Sequence, residues 1–202
     1  GANAVCITNG FDREAKIEAK IETKSFTLSY VGVLEQLRNP EVLWKVLNDI
    51  IAENPDFKND FELKFVGRVD DKILKEIENS NLKDSLNNVG YLSHLEANAE
   101  MQSSDVLLMT NFPHESSKGI IPGKIFEYLA TGKPILSFGP KESDVKKILD
   151  ETNAGKHFSY QDSAELKAFL IDHYQNWKSG ITSSKTKNIE QFSRRNLTEK
   201  LS

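Results

Sequence analysis

Short apolar runs alternating with longer amphipathic segments predict an α/β chain with a doubly wound parallel sheet and helices on both faces. Two observations carry this. The runs at Phe26–Val31, Phe61–Val66, Val106–Met109 and Pro134–Phe138 are strand-length and mostly rich in β-branched or aromatic residues, and helical patterns separate them. Each parallel pair also needs a crossover, which a helix supplies. At ~150 residues per domain, 202 residues make one domain with short additions. Ligands of such open sheets sit beyond the carboxyl ends of the strands, where strand order reverses.

In chain order, Ala4–Thr8 is the first candidate strand. Lys16–Lys24 supports two readings: Ile17 and Ile21 lie four apart, as on a helix, while Ile17, Ala19 and Ile21 alternate, as on a strand. Phe26–Val31 reads as a strand. Glu41–Glu53 then gathers Val42, Trp44, Val46, Leu47 and Ile50 on a broad helical face, with Pro40 suited to its first turn. After Phe61–Val66 and a turn at Asp70–Asp71, Lys72–Asn79 offers Ile73, Leu74 and Ile77. Asn88–Gly90 is a short strand and Leu95–Gln102 a weaker helix. Val106–Met109, a helix over Pro122–Thr131 and Pro134–Phe138 follow, and then a helix over Asp162–Trp177 with Leu166, Phe169 and Leu170 inward. Lys178–Lys187 is a polar loop before a charged helix from Asn188 to about Leu201, expected to pack on something outside the chain. The expected organisation is a lead-in and interdomain connection over residues 1–25, the sheet domain over 26–177, and the loop with its helix over 178–202.

Charge excludes several functions. With 26 Lys and Arg against 30 Asp and Glu, scattered without long blocks, the chain has no basic stripe to displace counterions, so nucleic acid is not an expected partner. No apolar run approaches a membrane span and no signal-peptide pattern opens the chain, so a cytoplasmic setting is expected. Cys6 is alone, which rules out an internal disulfide and a Cys-cluster metal site. His94, His114, His157 and His173 are dispersed, and none pairs with a nearby Ser or Cys in a nucleophile motif. Neither a P-loop nor GxGxxG occurs. Gly1 without an initiator Met points to an excised fragment.

The most informative segment is GIIPGKIFEYLATGKP, from Gly119 to Pro134. Gly119, Ile120, Pro122 and Gly123 make a compact loop feeding a helix, whose unsatisfied N–H groups attract anions. Lys124 in the first turn conflicts with the helix dipole, and an anionic ligand would resolve the conflict. Glu127, one turn on, can accept two hydrogen bonds from vicinal ribose hydroxyls. Taken alone, it can equally pair with Lys124 on a wet face. Gly132 ends the helix and Pro134 prevents its resumption.

GKIFEYLATGKPIL resembles the nucleotide-sugar-binding motif in the C-terminal domain of GT-B glycosyltransferases, especially the retaining family 4 type. VCITNGFD, Val5 to Asp12, is similar to the segment joining the two domains of that family. FTLSYVGVL, Phe26 to Leu34, is similar to the first strand and Gly loop of its donor domain. VGYLSHLEANAEMQSSDVLLM, Val89 to Met109, is similar to its base-binding strand, loop and helix. The resemblance implies a Rossmann-like fold and a donor that is a UDP-, GDP- or ADP-sugar, with no cofactor and no metal. It implies that Glu127 binds donor ribose, that Gly119–Gly123 faces the diphosphate and sugar, that Tyr91 and Leu92 border the base, and that Gly32 lets backbone approach the phosphates. Many relatives follow that Gly with Arg and place a Lys several residues later. Here Val33 follows and the nearest cation is Arg38, so Arg38 and Lys124 are the expected leaving-group stabilisers. Many relatives also carry a Glu eight residues before the ribose-binding one, where this chain has Gly119; Glu115 is a possible substitute.

The resulting expectation is the donor-binding half of a retaining glycosyltransferase, partnered by an absent N-terminal acceptor-binding domain, through which alone it would meet the cytoplasmic membrane face. Such a fragment alone is expected to be inactive. A sugar-nucleotide epimerase of the same architecture and a non-catalytic nucleotide-sugar-binding module are the alternatives. A phosphoacceptor receiver domain would want paired acids after the first strand, where Gly32, Val33 and Leu34 offer none.

Overall fold

A computed structural model describes residues 8–12, 24–181 and 186–199. Six strands, β1 (Phe26–Leu34), β2 (Phe61–Val69), β3 (Leu86–Gly90), β4 (Val106–Thr110), β5 (Ile135–Phe138) and β6 (Gly155–Phe158), form one parallel sheet in the order β3-β2-β1-β4-β5-β6. Helices α1 (Glu41–Glu53), α2 (Pro55–Asp60), α3 (Asp71–Glu78), α4 (His94–Ser103), α5 (Lys124–Thr131), α6 (Asp144–Thr152), α7 (Ser163–Lys178) and α8 (Arg194–Glu199) complete the described chain. Strand order reverses between β1 and β4, so the fold is doubly wound and Rossmann-like. No described helix is long and apolar enough to cross a membrane.

The expected strands from Phe26 to Phe138 are all present, several of them longer. β6 was not expected, because Gly155-Lys-His-Phe contains no apolar run. It is an edge strand whose glycine lies against β5, where an added Cβ would fall 1.9 Å from the Ile135 carbonyl oxygen. Two helices were also missed. In α2, Asn54 accepts a hydrogen bond from the Phe57 N–H and Pro55 opens the helix, a capping signal too short to show as periodicity. In α6, Val145, Ile148 and Leu149 carry the apolar stripe between Ser143 and Asn153. Asp70 is the N-cap of α3, with its carboxylate accepting from Lys72 N–H. The strand expected at Ala4–Thr8 and the ambiguous Lys16–Lys24 lie, but for Thr8 and Lys24, outside the described residues.

Each face of the sheet buries its own core. On one face Phe26, Leu28, Tyr30 and Phe65 pack with Leu43, Trp44 and Leu47 of α1 and Leu166, Leu170 and Tyr174 of α7. On the other, Val31, Val66, Leu107 and Ile135 pack with Ile125, Phe126 and Leu129 of α5 and Val145 and Leu149 of α6. The C-terminal segment, expected to find its partner elsewhere, packs on this chain. It begins as a short 3-10 turn, Ile189–Phe192, before α8. Phe11 N–H donates to the Phe192 carbonyl (3.1 Å), Arg194 N–H donates to the Phe11 carbonyl (2.9 Å), and the Phe192 ring lies 5.7 Å from that of Phe126.

One buried side chain joins this architecture to the point where strand order reverses. β1 pairs with β4 only over Leu28–Tyr30 and Val106–Leu108, beyond which the strands part. The Tyr128 hydroxyl fills the gap, accepting from Val31 N–H (3.1 Å) and donating to the Leu108 carbonyl (3.2 Å). Burial pushes its pKa far up, so it stays protonated and keeps its donor. Tyr128→Phe leaves two buried backbone groups unpaired and is expected to cost about 1–3 kcal/mol, read from urea denaturation midpoints. An unchanged midpoint would refute this bridging role.

Candidate functional site

The crevice between β1 and β4 opens at the carboxyl edge of the sheet, the place an open α/β fold reserves for ligands. β1 continues beside β2 as far as Leu34, with Gly32 in register with Gly67. Both glycines have positive φ, +138° and +112°, and a Cβ on Gly67 would sit 2.2 Å from the Gly32 carbonyl oxygen. No other residue permits that approach.

The loop after β1 turns back on itself through the Val33 carbonyl, which accepts from the Tyr30 hydroxyl (2.8 Å) and from Arg38 Nη2 (2.8 Å). Arg38 also pairs with Glu35 (3.1 Å), and its guanidinium lies 5.3 Å from the centroid of the Phe112 ring, which follows β4. Its Nε is buried and has no partner among the described residues. The Arg38 side chain therefore spans the crevice from one lip to the other. Tyr160, after β6, secures the same junction by donating to the Asn111 carbonyl at 2.5 Å. Burial raises its pKa, holding the donor in place.

The loop from β4 to α5 is fixed by its own polar groups. Asn111 Nδ2 donates to the Ile120 carbonyl (2.9 Å), and Ser117 Oγ reaches the carbonyls of Phe112 (2.6 Å) and His114 (2.8 Å). α5 begins at Lys124, two residues later than Pro122 suggested, with Gly123 as its N-cap. The crossover from β4 to β5 sets this N-terminus at the carboxyl edge. Gly119 and Gly123 are exposed, Ile120 is 46 % exposed, and Pro122 is half-buried. The expected conflict between Lys124 and the helix dipole is answered locally, since Lys124 Nζ lies 3.0 Å from Glu127 Oε2. Beyond β3, Tyr91 stands 92 % exposed while Leu92 packs against the core under α5. Ser93 and Glu96 form a reciprocal cap on α4, and His94 is an exposed first-turn residue.

Gly32 and Arg38 thus lie on the β1 side of the crevice, the 119–124 loop leading to Glu127 follows β4 on the other, and Tyr91 and Leu92 lie beyond β3. Glu115 is exposed and paired with Lys118. The sequence reading missed a better placed acid. Asp144, the first residue of α6, puts Oδ2 4.0 Å from the point where a Gly119 Cβ would lie, and its N–H donates to the Lys118 carbonyl (2.9 Å). Its Oδ1 takes Lys147 (2.8 Å). The loop before it is braced by His157, whose Nε2 lies 2.9 Å from the Pro140 carbonyl and whose Nδ1 lies 3.0 Å from Ser137 Oγ. Burial lowers the His157 pKa and favours the neutral ring. Asp144, Tyr160 and Asn111 carry no local motif; only folding brings them to the crevice. Among the described residues no group of three His, Cys, Asp or Glu could hold a metal ion.

A family model described as glycosyl transferases group 1 matches residues 25–176. No curated protein matches the chain. Among solved structures, HepE of Anabaena in complex with UDP is similar over 88 % of this chain and 48 % of its own, at 15 % identity and a TM-score of 0.66. TarM of S. aureus, solved with fondaparinux, alpha-GlcNAc-glycerol and UDP, is similar over 100 % of this chain and 39 % of its own, at 16 % identity and a TM-score of 0.74. The pneumococcal O-GlcNAc transferase GtfA, with UDP and GlcNAc, is similar over 96 % and 37 %, at 17 % identity and a TM-score of 0.64. The chain therefore spans less than half the length of each, and at these identities the likeness is one of fold. The family match, running from the start of β1 into α7, carries more: the chain belongs to the group 1 glycosyl transferases.

Proposed function

We propose that this chain is the donor-binding half of a retaining glycosyltransferase, taking a sugar from a nucleoside diphosphate and delivering it to an acceptor held by another half. One observation carries the reading. α5 follows β4, one of the two strands between which strand order reverses, and carries Lys124 and Glu127 in its first turn, while Arg38, after the other strand β1, lies over Phe112 just beyond β4. HepE, TarM and GtfA, solved with UDP, favour a nucleoside diphosphate as the ligand class. Because the chain covers only 37–48 % of those structures, transfer is assigned to a protein that also supplies the acceptor side.

The chemistry follows from charge. Breaking the bond between sugar carbon and phosphate oxygen builds positive charge on the sugar ring and negative charge on the departing diphosphate. The first N–H groups of α5, Lys124 and Arg38 stabilise the latter, and Glu127 holds the ribose hydroxyls. Lys124 and Arg38 are each held by a partly exposed carboxylate three residues away. Such pairs are worth about 0–1 kcal/mol, so exchanging them for a diphosphate costs little. Asp144 Oδ2, open toward Gly119, accepts a hydroxyl of the donor sugar in place of the absent Glu.

Titrating UDP, GDP and ADP into the chain is expected to shift amide resonances across Gly119–Glu127; spectra unmoved by all three overturn the reading. Asp144→Asn is expected to weaken UDP-glucose binding severalfold and leave UDP unchanged, measured by calorimetry. Equal loss for both ligands would remove Asp144 from the sugar contact.

A further inference from the structure

Arg68 stands out among the cations at the carboxyl edge. Arg38, Lys118 and Lys124 each hold a carboxylate three residues away, whereas the exposed Arg68 has no partner among the described residues. Lys72 and Lys141 are likewise unpaired there, but Lys72 lies in the first turn of α3 and Lys141 follows β5, beyond the 111–123 loop. Arg68 is part of a strand, so backbone pairing fixes its place: it is the register partner of Val33, next to the Gly32–Gly67 contact.

Strand alternation gives the direction. Val31 and Val66 face α5, and Val33 and Arg68, two residues further along each strand, face the same side. There the helices have given way to the crevice, and Val33 is 49 % exposed. Across the edge of the sheet, Arg68 on β2 lies between the Tyr91–Leu92 loop after β3 and the Gly32–Arg38 loop after β1. Arg38 and the start of α5 lie toward β4. A nucleotide with its phosphates at α5 and its ribose at Glu127 therefore carries its base toward Val33 and Arg68.

Resting on the donor-site reading above, we propose that Arg68 reads the base of the nucleotide and selects one that exposes carbonyl oxygens, uracil or guanine, over adenine. A guanidinium is a fork of donors with no acceptor. It matches a carbonyl edge, as in its bidentate contact with guanine, and opposes the exocyclic amino donor of adenine. Val33 supplies the apolar floor beside it.

The test is calorimetric titration of the 202-residue chain and of Arg68→Met with UDP, GDP, ADP and inorganic pyrophosphate. UDP or GDP is expected to bind about tenfold more tightly than ADP, the range of one good bidentate base contact. Arg68→Met should erase that margin while leaving ADP and pyrophosphate unchanged. Arg68→Lys, which keeps the charge without the fork, should not restore it. Equal binding of ADP by the unmodified chain overturns the proposal. So does a uniform loss for ADP and pyrophosphate in Arg68→Met, which would make Arg68 a phosphate contact. Failure of all three nucleotides to bind overturns the donor-site reading itself, and is distinct from a loss of preference among them.

Discussion

Glu127→Ala is expected to weaken UDP binding about ten- to a hundredfold, measured by calorimetry on the chain. A carboxylate accepting hydrogen bonds contributes about 1.5–3 kcal/mol per bond, and 1.4 kcal/mol is tenfold in affinity. The variant also breaks the Lys124–Glu127 pair, which is about a third exposed on both sides. That pair stabilises the free protein by at most about 1 kcal/mol, and its loss leaves Lys124 unneutralised near the diphosphate. The ribose term therefore wins, and binding falls. Glu127→Gln, which retains one acceptor oxygen, should lie between the two. An affinity unchanged in Glu127→Ala would show that the carboxylate serves only Lys124.

Gly67→Ala is expected to cost about 3 kcal/mol or more, a large share of the ~5–15 kcal/mol that stabilises a domain. Two penalties add. An L side chain at φ +112° is strained by about 1–3 kcal/mol, and a methyl 2.2 Å from the Gly32 carbonyl forces the strands apart at about 1–3 kcal/mol. Gly132→Ala is the control. Gly132 ends α5 at φ +69° with nothing within 4 Å of an added Cβ, so only the left-handed strain of about 1–2 kcal/mol applies. Urea denaturation of the two variants should rank them in that order. A smaller loss for Gly67→Ala would mean that β1 and β2 can separate at their carboxyl ends without harm.

Much of this architecture is legible in the chain because its signals are local. The apolar stripe of Glu41–Glu53, the β-branched and aromatic runs of β1 and β2, the apolar run of β4, and the Gly-Pro punctuation around α5 each report on neighbours within a turn or a strand. Of the elements missed, α2 and α6 carry local caps, and α6 a local apolar stripe, that were passed over, whereas the burial of β6 comes from elsewhere. β6 is Gly155-Lys-His-Phe, held by pairing with β5 and by Phe158 packing on Phe138. The start of α5 fell at Lys124 and not Pro122 because the first carbonyls, Pro122 and Gly123, are taken up in three-residue turns by Ile125 and Phe126.

The candidate site divides in the same way. The Gly119–Lys124 loop and Glu127 are readable because a helix start and a carboxylate one turn later are properties of consecutive residues, whereas Gly32 was reached only through the family resemblance and its tight approach is to Gly67 on the neighbouring strand. Asp144 beside Gly119, Tyr160 on the Asn111 carbonyl, and Arg68 in register with Val33 are separated by tens of residues along the chain. No periodicity links them. They meet because a parallel sheet delivers the carboxyl end of every strand to one edge. What the sequence by itself determined was most of the elements and the loop-to-helix start expected to face an anion. Which acids and cations share that edge was decided by strand order and register, since those depend on how the strands pair and not on what any strand contains.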